Sequence, residues 1–552
     1  MNTSKRFVFA LALCFFLLAT GAAQIPSKEK VIAGAERAFE KASKVNSGPA
    51  PGCAVGVSLN GESVFEKAFG LAEIEHKVPN TPETIFESGS VAKQFTAAAL
   101  VLLQQEGKLK IDDPVRKYIP ELPDYGSPLT IRHLLNHTAG LRDWGAVMSL
   151  TGVGRGDRVI SQELALDVIY RQKALDFTPG AEYSYSNSGY QLAAEIVERV
   201  TKQRFSAFVE ERLFKPLGMK HATWRVDYRD LVPGRAQAYS RQNATAPWRL
   251  EMPIMNVVGN GGMLTTVGDW LKWNAMLDSR SMGSSLVEAL ETQGVLNDKR
   301  KIDYALGLSV STYRGMRDVS HGGSTAGYQT FLARYPDQKV SVAVLCNGTS
   351  PSAGGLAASV TDEIFGPFPA TQSKPDVLEM SPDELQKFVG YWRHEFTRYP
   401  SRTTLEKGQL LLNGRPLVPL KDGTFLYGPA TVRFVFDKNG APLYAESTSS
   451  GGRTRYMADS AWTPSEAELS SFTGIWYSEE ADATFKFAVE DGKAFLVQRP
   501  SLRVPLTPLY RDHFNVDGMD GILWFTRDGK GVVEKLHVGR SRLRDMPFTR
   551  VK

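Results

Sequence analysis

The sequence predicts an α/β (α+β) chain: an antiparallel sheet built from both ends of a first domain, a helical subdomain between, and two small antiparallel β-barrels after a linker. Two observations carry this prediction. Strand-like apolar segments flank a long stretch of helical patterning within residues 28–365. A β-rich unit then repeats: Leu385, Phe388, Gly390 and Trp392 recur as Leu469, Phe472, Gly474 and Trp476, each 84 residues later.

Taken in order, Lys5 and Arg6 precede an apolar run from Phe7 to Ala19 and the small residues Gly21-Ala22-Ala23. This is the layout of a secretory signal over residues 1–23, and the run is shorter than a bilayer-spanning helix needs. A periplasmic or secreted location is the expectation. Val31, Ile32, Ala35, Ala38, Phe39 and Ala42 recur at helical spacing, so Glu29 to Lys44 should be an amphipathic helix. Cys53 to Leu59 and Ser63 to Phe69 flank Asn60-Gly61-Glu62 and read as a hairpin. A helix starting near Val91 runs through Phe95, Ala98, Leu102 and Leu103 to Gly107, and another covers Tyr190 to Val200. Gln329 to Tyr335 and Lys339 to Cys346, joined by Pro336-Asp337-Gln338, form a second strand pair. Proline and small residues in Gly366 to Pro375 mark a linker, placed at 366–380, and the repeats occupy 381–462 and 463–552.

The 552 residues are 42% hydrophobic, enough for a large core, and a net charge of +5 from well-mixed charges leaves no basic stripe for nucleic acid. Beyond the signal the cysteines are Cys53 and Cys346, each at the end of an apolar, β-rich run, and buried free thiols are the default for such positions.

Chemistry concentrates in three short motifs. Ser90-Val91-Ala92-Lys93 opens the apolar helix, and on a helix this spacing puts hydroxyl and amine one turn apart on one face. A neutral amine there takes the hydroxyl proton, which makes a serine nucleophilic without histidine, and burial favours the neutral form. The tetrapeptide alone is weak evidence, since Ser27 to Lys30 also fits it. Tyr185-Ser186-Asn187 follows in a polar, aromatic loop, and His321-Gly322-Gly323 lies farther on, before the predicted strand.

In that order the three motifs resemble those of serine hydrolases built like class C β-lactamases and penicillin-binding proteins, a family that includes esterases and D-amino-acid peptidases. Thr130 to Leu141, Leu213 to Met219 and Gly259 to Thr266 resemble that family's framing segments. The resemblance implies a β-lactamase/transpeptidase-like domain with Ser90 as nucleophile, Lys93 and Tyr185 sharing the proton work, and Asn187 bonded to Lys93 and to the substrate amide. It also implies that Gly323 admits substrate to the sheet edge and that Ser324 gives the second oxyanion N–H after Ser90's own. Further, it makes the Cys53 and Cys346 strands antiparallel neighbours, with the thiols close but expected free.

His321 stands where the β-lactamase form has lysine. A neutral imidazole anchors a carboxylate less well than an ammonium, which shifts weight from β-lactams toward peptides, D-amino-acid amides or esters. His133 and His137, four apart, are read as structural because no third metal ligand lies at suitable spacing. No metal or cofactor is implied.

A catalytic domain followed by two lipocalin-like barrels resembles the layout of bacterial D-aminopeptidases. The reading is a secreted serine hydrolase acting on a small-molecule or short-peptide substrate, with peptidase ahead of esterase or β-lactamase. The alternative of another class is a non-catalytic protein that binds peptide or cell-wall fragments. By the same resemblance Asn515 to Gly521, with Asp517 and Asp520, is expected to approach the Ser90 cleft and meet a substrate amine.

Overall fold

Near-continuous apolar runs such as Cys53–Leu59 and Val340–Cys346 need cover on both faces of the sheet they form, and the first domain is organised this way. A computed structural model describes residues 25–45, 48–152, 156, 158–368, 376–449, 452–498 and 502–551. The predicted signal and residues 369–375 of the predicted linker lie outside the described residues. Among those described, no helix is long and apolar enough to cross a membrane.

Six antiparallel strands run in the order Ser309–Tyr313, Met316–Thr325, Tyr328–Tyr335, Val340–Cys346, Cys53–Leu59 and Glu62–Phe69. Strands from the two ends of the domain thus meet at the centre, as predicted. Both central strands are buried along their whole length. Val55, Val57, Val342 and Val344 face the helices Lys28–Ser43 and Ala353–Phe365, which cover one side. Ala54, Ala343 and Leu345 face the opposite way, toward Val267 and Leu271 of the helix Val267–Ser279. This period-two alternation sorts one strand between two cores.

Cys53 and Cys346 correct an expectation: they form a disulfide, with Cα atoms 4.0 Å apart. They are directly opposed in the antiparallel register, on the face packed by the first and last helices. Opposed side chains on one face of adjacent strands are close enough to bond, a relation that neither cysteine's local sequence reveals.

The helical subdomain is built around Lys93–Gln105, which is buried from Lys93 to Leu103. A helix apolar on every side belongs inside a protein, so the lysine that starts it is carried into the interior.

Both C-terminal repeats begin with the same device. Ser381 and Glu384 form a capping box, and Ser465 and Glu468 form its counterpart. Trp392 and Trp476, also equivalent, lie buried in the two β units. The second unit is a closed barrel of eight strands. In the first, nine strands form an open sheet whose edges are Arg415–Pro416 and Val418–Pro419. Those edges flank Leu417 in the chain, so the sheet curls until they meet. Proline has no N–H to give to a closing ladder.

Candidate active site

Ser90 lies in a 3-10 turn, Gly89–Ala92, that leads into the helix beginning at Lys93. The predicted one-turn relation holds there. Lys93 Nζ is 3.0 Å from Ser90 Oγ, 2.9 Å from Asn187 Oδ1 and 2.7 Å from the Asn260 carbonyl. Both the amide oxygen and the carbonyl can only accept. A neutral amine that gives its two N–H groups to them has its lone pair left for the Ser90 proton.

Asn260 reaches Lys93 because the chain around it is pressed into the domain. Gly259 has φ +91°, and a Cβ there would lie 2.6 Å from both Ala194 Cβ and the Tyr190 carbonyl oxygen. Only glycine tolerates both the dihedral and the space.

The Tyr185-Ser186-Asn187 segment differs slightly from its prediction. The helix starts at Asn187, not at Tyr190. Its first N–H needs an acceptor from elsewhere, and Asp143 supplies it. Asp143 Oδ2 accepts from Asn187 N at 2.8 Å and from Asn187 Nδ2 at 2.9 Å. Its Oδ1 caps the helix Trp144–Ser149. Asp143 therefore fixes the Asn187 amide with its oxygen toward Lys93. Sequence reasoning missed this residue, although an aspartate just before Trp144-Gly-Ala-Val-Met148 is a helix-start signal.

Tyr185 packs 4.0 Å, centroid to centroid, from the His137 ring. Burial pushes its phenol well above the ordinary value, while Ser90 and Arg542 pull it back less strongly. The buried hydroxyl has no partner with good hydrogen-bond geometry. It is therefore a phenol with a proton to give. His133 and His137 take structural places. His133 completes a capping box with Thr130, and His137 Nδ1 accepts from Ser186 N at 3.3 Å.

His321-Gly322-Gly323 precedes the predicted strand, which runs Tyr328–Tyr335, and itself lies within a strand, Met316–Thr325. The neighbouring strand Ser309–Tyr313 pairs only as far as Ser320. From His321 onward this leaves a free edge, a place where substrate backbone can add. Gly323 seats that edge on the nucleophile's turn: a Cβ on it would lie 2.1 Å from the Ser88 carbonyl oxygen and 2.3 Å from Thr330 Oγ1. Gly89 is equally constrained, with φ +51° and a would-be Cβ 2.5 Å from Ser324 N. The Ser324 N–H is thus beside the start of the helix that bears Ser90, the placement an oxyanion site requires.

His321 is buried and bonded on both nitrogens, to the Gly322 carbonyl at 2.6 Å and to the Tyr304 hydroxyl at 2.8 Å. A carbonyl only accepts, so Nδ1 carries the proton and Nε2 accepts from Tyr304. Burial is the chief cause that lowers its pKa from 6.5 to about 4. His137 is lowered too, again chiefly by burial.

This gives an expected outcome. Above pH 6.5 the imidazole is neutral whether the chain is folded or not. Between 6.5 and about 4 the unfolded chain binds a proton that the folded one refuses, so stability falls with pH across that window. His321 alone accounts for about 3 kcal/mol by this linkage. Urea unfolding of wild type and His321→Asn at pH 7 and pH 4.5 measures it. The gap between the two proteins should narrow in acid, and a gap independent of pH would disprove the buried neutral ring.

One cleft, of about 500 Å³, is lined by Ser90, Tyr185, Asn187, His321, Gly323 and Ser324, with Lys93 beneath Ser90. All seven residues singled out in the sequence therefore meet. The Asn515 to Gly521 expectation is not met, because none of those residues lines the cleft. Asp517 accepts from Thr507 at 2.8 Å, and Asp520 is bonded to Tyr399 and to Ser541. The second barrel reaches the cleft through Arg542 instead, whose carbonyl accepts from Asp143 N at 3.1 Å. That barrel is also tied down by a buried ion pair, Arg142 to Glu480 at 2.7 Å.

Comparisons agree with this geometry. Residues 35–363 match the family model described as Beta-lactamase. The D-aminopeptidase of Gluconobacter oxydans (strain 621H) is 26% identical over 525 residues, covering 91% of this chain and 96% of that one. The D-aminopeptidase of Brucella anthropi is 30% identical over 305 residues, 54% of this chain and 56% of its own length. Among solved structures, a D-stereospecific amidohydrolase from Streptomyces sp. superposes with a TM-score of 0.51 at 25% identity, covering 60% of this chain and 98% of that one. With most of the first domain matched and the three motifs gathered in one cleft, the chain belongs to the beta-lactamase family and is a serine hydrolase.

Proposed function

We propose that the protein hydrolyses an amide bond of a short peptide or amino-acid amide through an acyl-enzyme on Ser90, with a preference for the D configuration in the acyl residue. The observation that carries the reading is Lys93 Nζ at 3.0 Å from Ser90 Oγ with two other acceptors fixed around it. In this mechanism Lys93 takes the Ser90 proton as Oγ attacks the carbonyl carbon. The N–H groups of Ser90 and Ser324 hold the oxyanion. Tyr185 gives its proton to the departing nitrogen and regains one from Lys93. Water then attacks the ester with Lys93 again as base, which restores the serine. Asn187, held by Asp143, positions the amine.

The D-aminopeptidase relatives and the D-stereospecific amidohydrolase support the amide and stereochemical parts. A place of action outside the cytoplasm is part of the proposal. It is supported by the charged, apolar and small-residue order of residues 1–23 and by the Cys53–Cys346 disulfide, a bond typical of oxidising compartments. The test is a panel of D- and L-aminoacyl anilides, short-chain esters and a chromogenic cephalosporin. D-anilides should be cut fastest. Rapid turnover of esters with no anilide cleaved would sink the peptidase reading, and equal D and L rates would sink the stereochemical one.

A further inference from the structure

The charges on the wall of the cleft do not balance. Glu87 is its one carboxylate among the described residues, and it is engaged by two arginines. Arg225 bonds it through Nε at 3.0 Å and Nη2 at 2.9 Å, and Arg235 through Nη2 at 3.1 Å. The Glu87 and Arg225 side chains are only 1% and 2% exposed, so this carboxylate is fully engaged by its arginines in the interior and is not free for a ligand.

Arg542 is placed differently. It lies in the turn between the barrel strands Val533–Arg540 and Leu543–Arg550, is exposed, and lines the cleft. Its guanidinium carbon sits 4.7 Å from the centroid of the Tyr185 ring, and among the described residues no carboxylate pairs with it. The turn is well anchored on the catalytic domain. Arg542 O accepts from Asp143 N, Arg540 Nη1 bonds Ser149 Oγ at 2.7 Å, and Leu543 is buried.

We infer that Arg542 binds a carboxylate in the leaving group, so that the preferred substrates release a free amino acid or hydroxy acid from the carboxyl side of the scissile bond. The inference rests on the acyl-enzyme reading above. Tyr185 is the group that returns a proton to the leaving atom, so a cation stacked on its ring stands on the leaving-group side of Ser90. A guanidinium with open donors fits a carboxylate bidentately. An ammonium in the leaving group would meet no unpaired acid on this wall and would be repelled by Arg542. The C-terminal barrel thereby takes part in substrate selection through one side chain.

The test compares leaving groups that differ only in charge. The peptide pair is acetyl-alanyl-glycine and its glycinamide, with alanine in the configuration the anilide panel prefers. The ester pair is the corresponding glycolate and glycolamide. In wild type, kcat/KM should favour the carboxylate by about tenfold, the scale of a charge-assisted bond at a partly exposed site. Added salt should shrink that ratio. Arg542→Gln should bring it close to one, Arg542→Lys should retain part of it, and Arg542→Glu should invert it. A wild-type ratio near one, or a ratio unchanged in Arg542→Gln, would overturn the assignment and leave Arg542 as a cap on the Tyr185 ring. If neither peptide is cut while both esters are, the peptidase reading fails, and the ester ratio still decides the role of Arg542.

Discussion

Ser90→Ala should lower turnover of every substrate by about 10⁴-fold or more, with covalent labelling by a fluorophosphonate lost and the fold kept. The hydroxyl does little structural work. Lys93 has Asn187 and Asn260 as further partners, and the 3-10 turn is held by backbone bonds such as Val91 N to the Ser88 carbonyl. Lys93→Met should cost about 10³-fold, within the range of a lost general base. Methionine fills the buried space without an amine. Because it also leaves the Asn187 amide oxygen and the Asn260 carbonyl without their donor, thermal unfolding must be measured beside the kinetics. A folded Lys93→Met protein that keeps most of its activity would refute the proton-transfer role, and turnover by folded Ser90→Ala would refute the nucleophile.

The second large effect is expected from a single methyl group. Gly323→Ala puts a Cβ 2.1 Å from the Ser88 carbonyl oxygen and 2.3 Å from Thr330 Oγ1, atoms bonded to each other at 2.7 Å. Neither lies at the end of a flexible side chain, so the strand must back away from the nucleophile's turn and take the Ser324 N–H with it. Losing one oxyanion donor costs about 10²- to 10³-fold in kcat, and overpacking costs about 1–3 kcal/mol in stability. The adjacent Gly322→Ala is the internal control, since a Cβ there makes only an ordinary contact with Phe331 at 3.4 Å. It should be nearly silent. Equal effects of the two substitutions would show that Gly323 does not set the oxyanion geometry.

The motif residues were legible before the fold because their key relation is local. Ser90 and Lys93 meet through a helical turn, which sequence spacing encodes, and the strand segments announce themselves by apolar patterning. The repeat was legible for the same reason: a leucine, a phenylalanine, a glycine and a tryptophan recur at one interval because each unit builds its own core. Where prediction and structure part, the missing quantity is non-local. His321 to Gly323 do precede the expected strand, but their two glycines hide that they are strand themselves. In the fold they are strand because Leu332, Phe331 and Thr330 pair with them from the next segment. The Asn187 helix starts early because Asp143, 44 residues away, accepts its first N–H.

By resemblance the sequence pointed to serine-hydrolase chemistry; by itself it determined the one-turn relation of Ser90 to Lys93, the strand pairs at both ends of the first domain, and the doubled β unit behind it. Each follows from interactions within a turn, a hairpin or a repeat. The tertiary structure alone decided the pairing of Cys53 with Cys346, the cradle of Asp143 and Asn260 around the catalytic pair, the open seam at Leu417 against the closed second barrel, and the arrival of Arg542 rather than Asp517 or Asp520 at the cleft. Those depend on which distant segments pack together. Packing is set by the fit of whole surfaces, and no spacing along the chain records it.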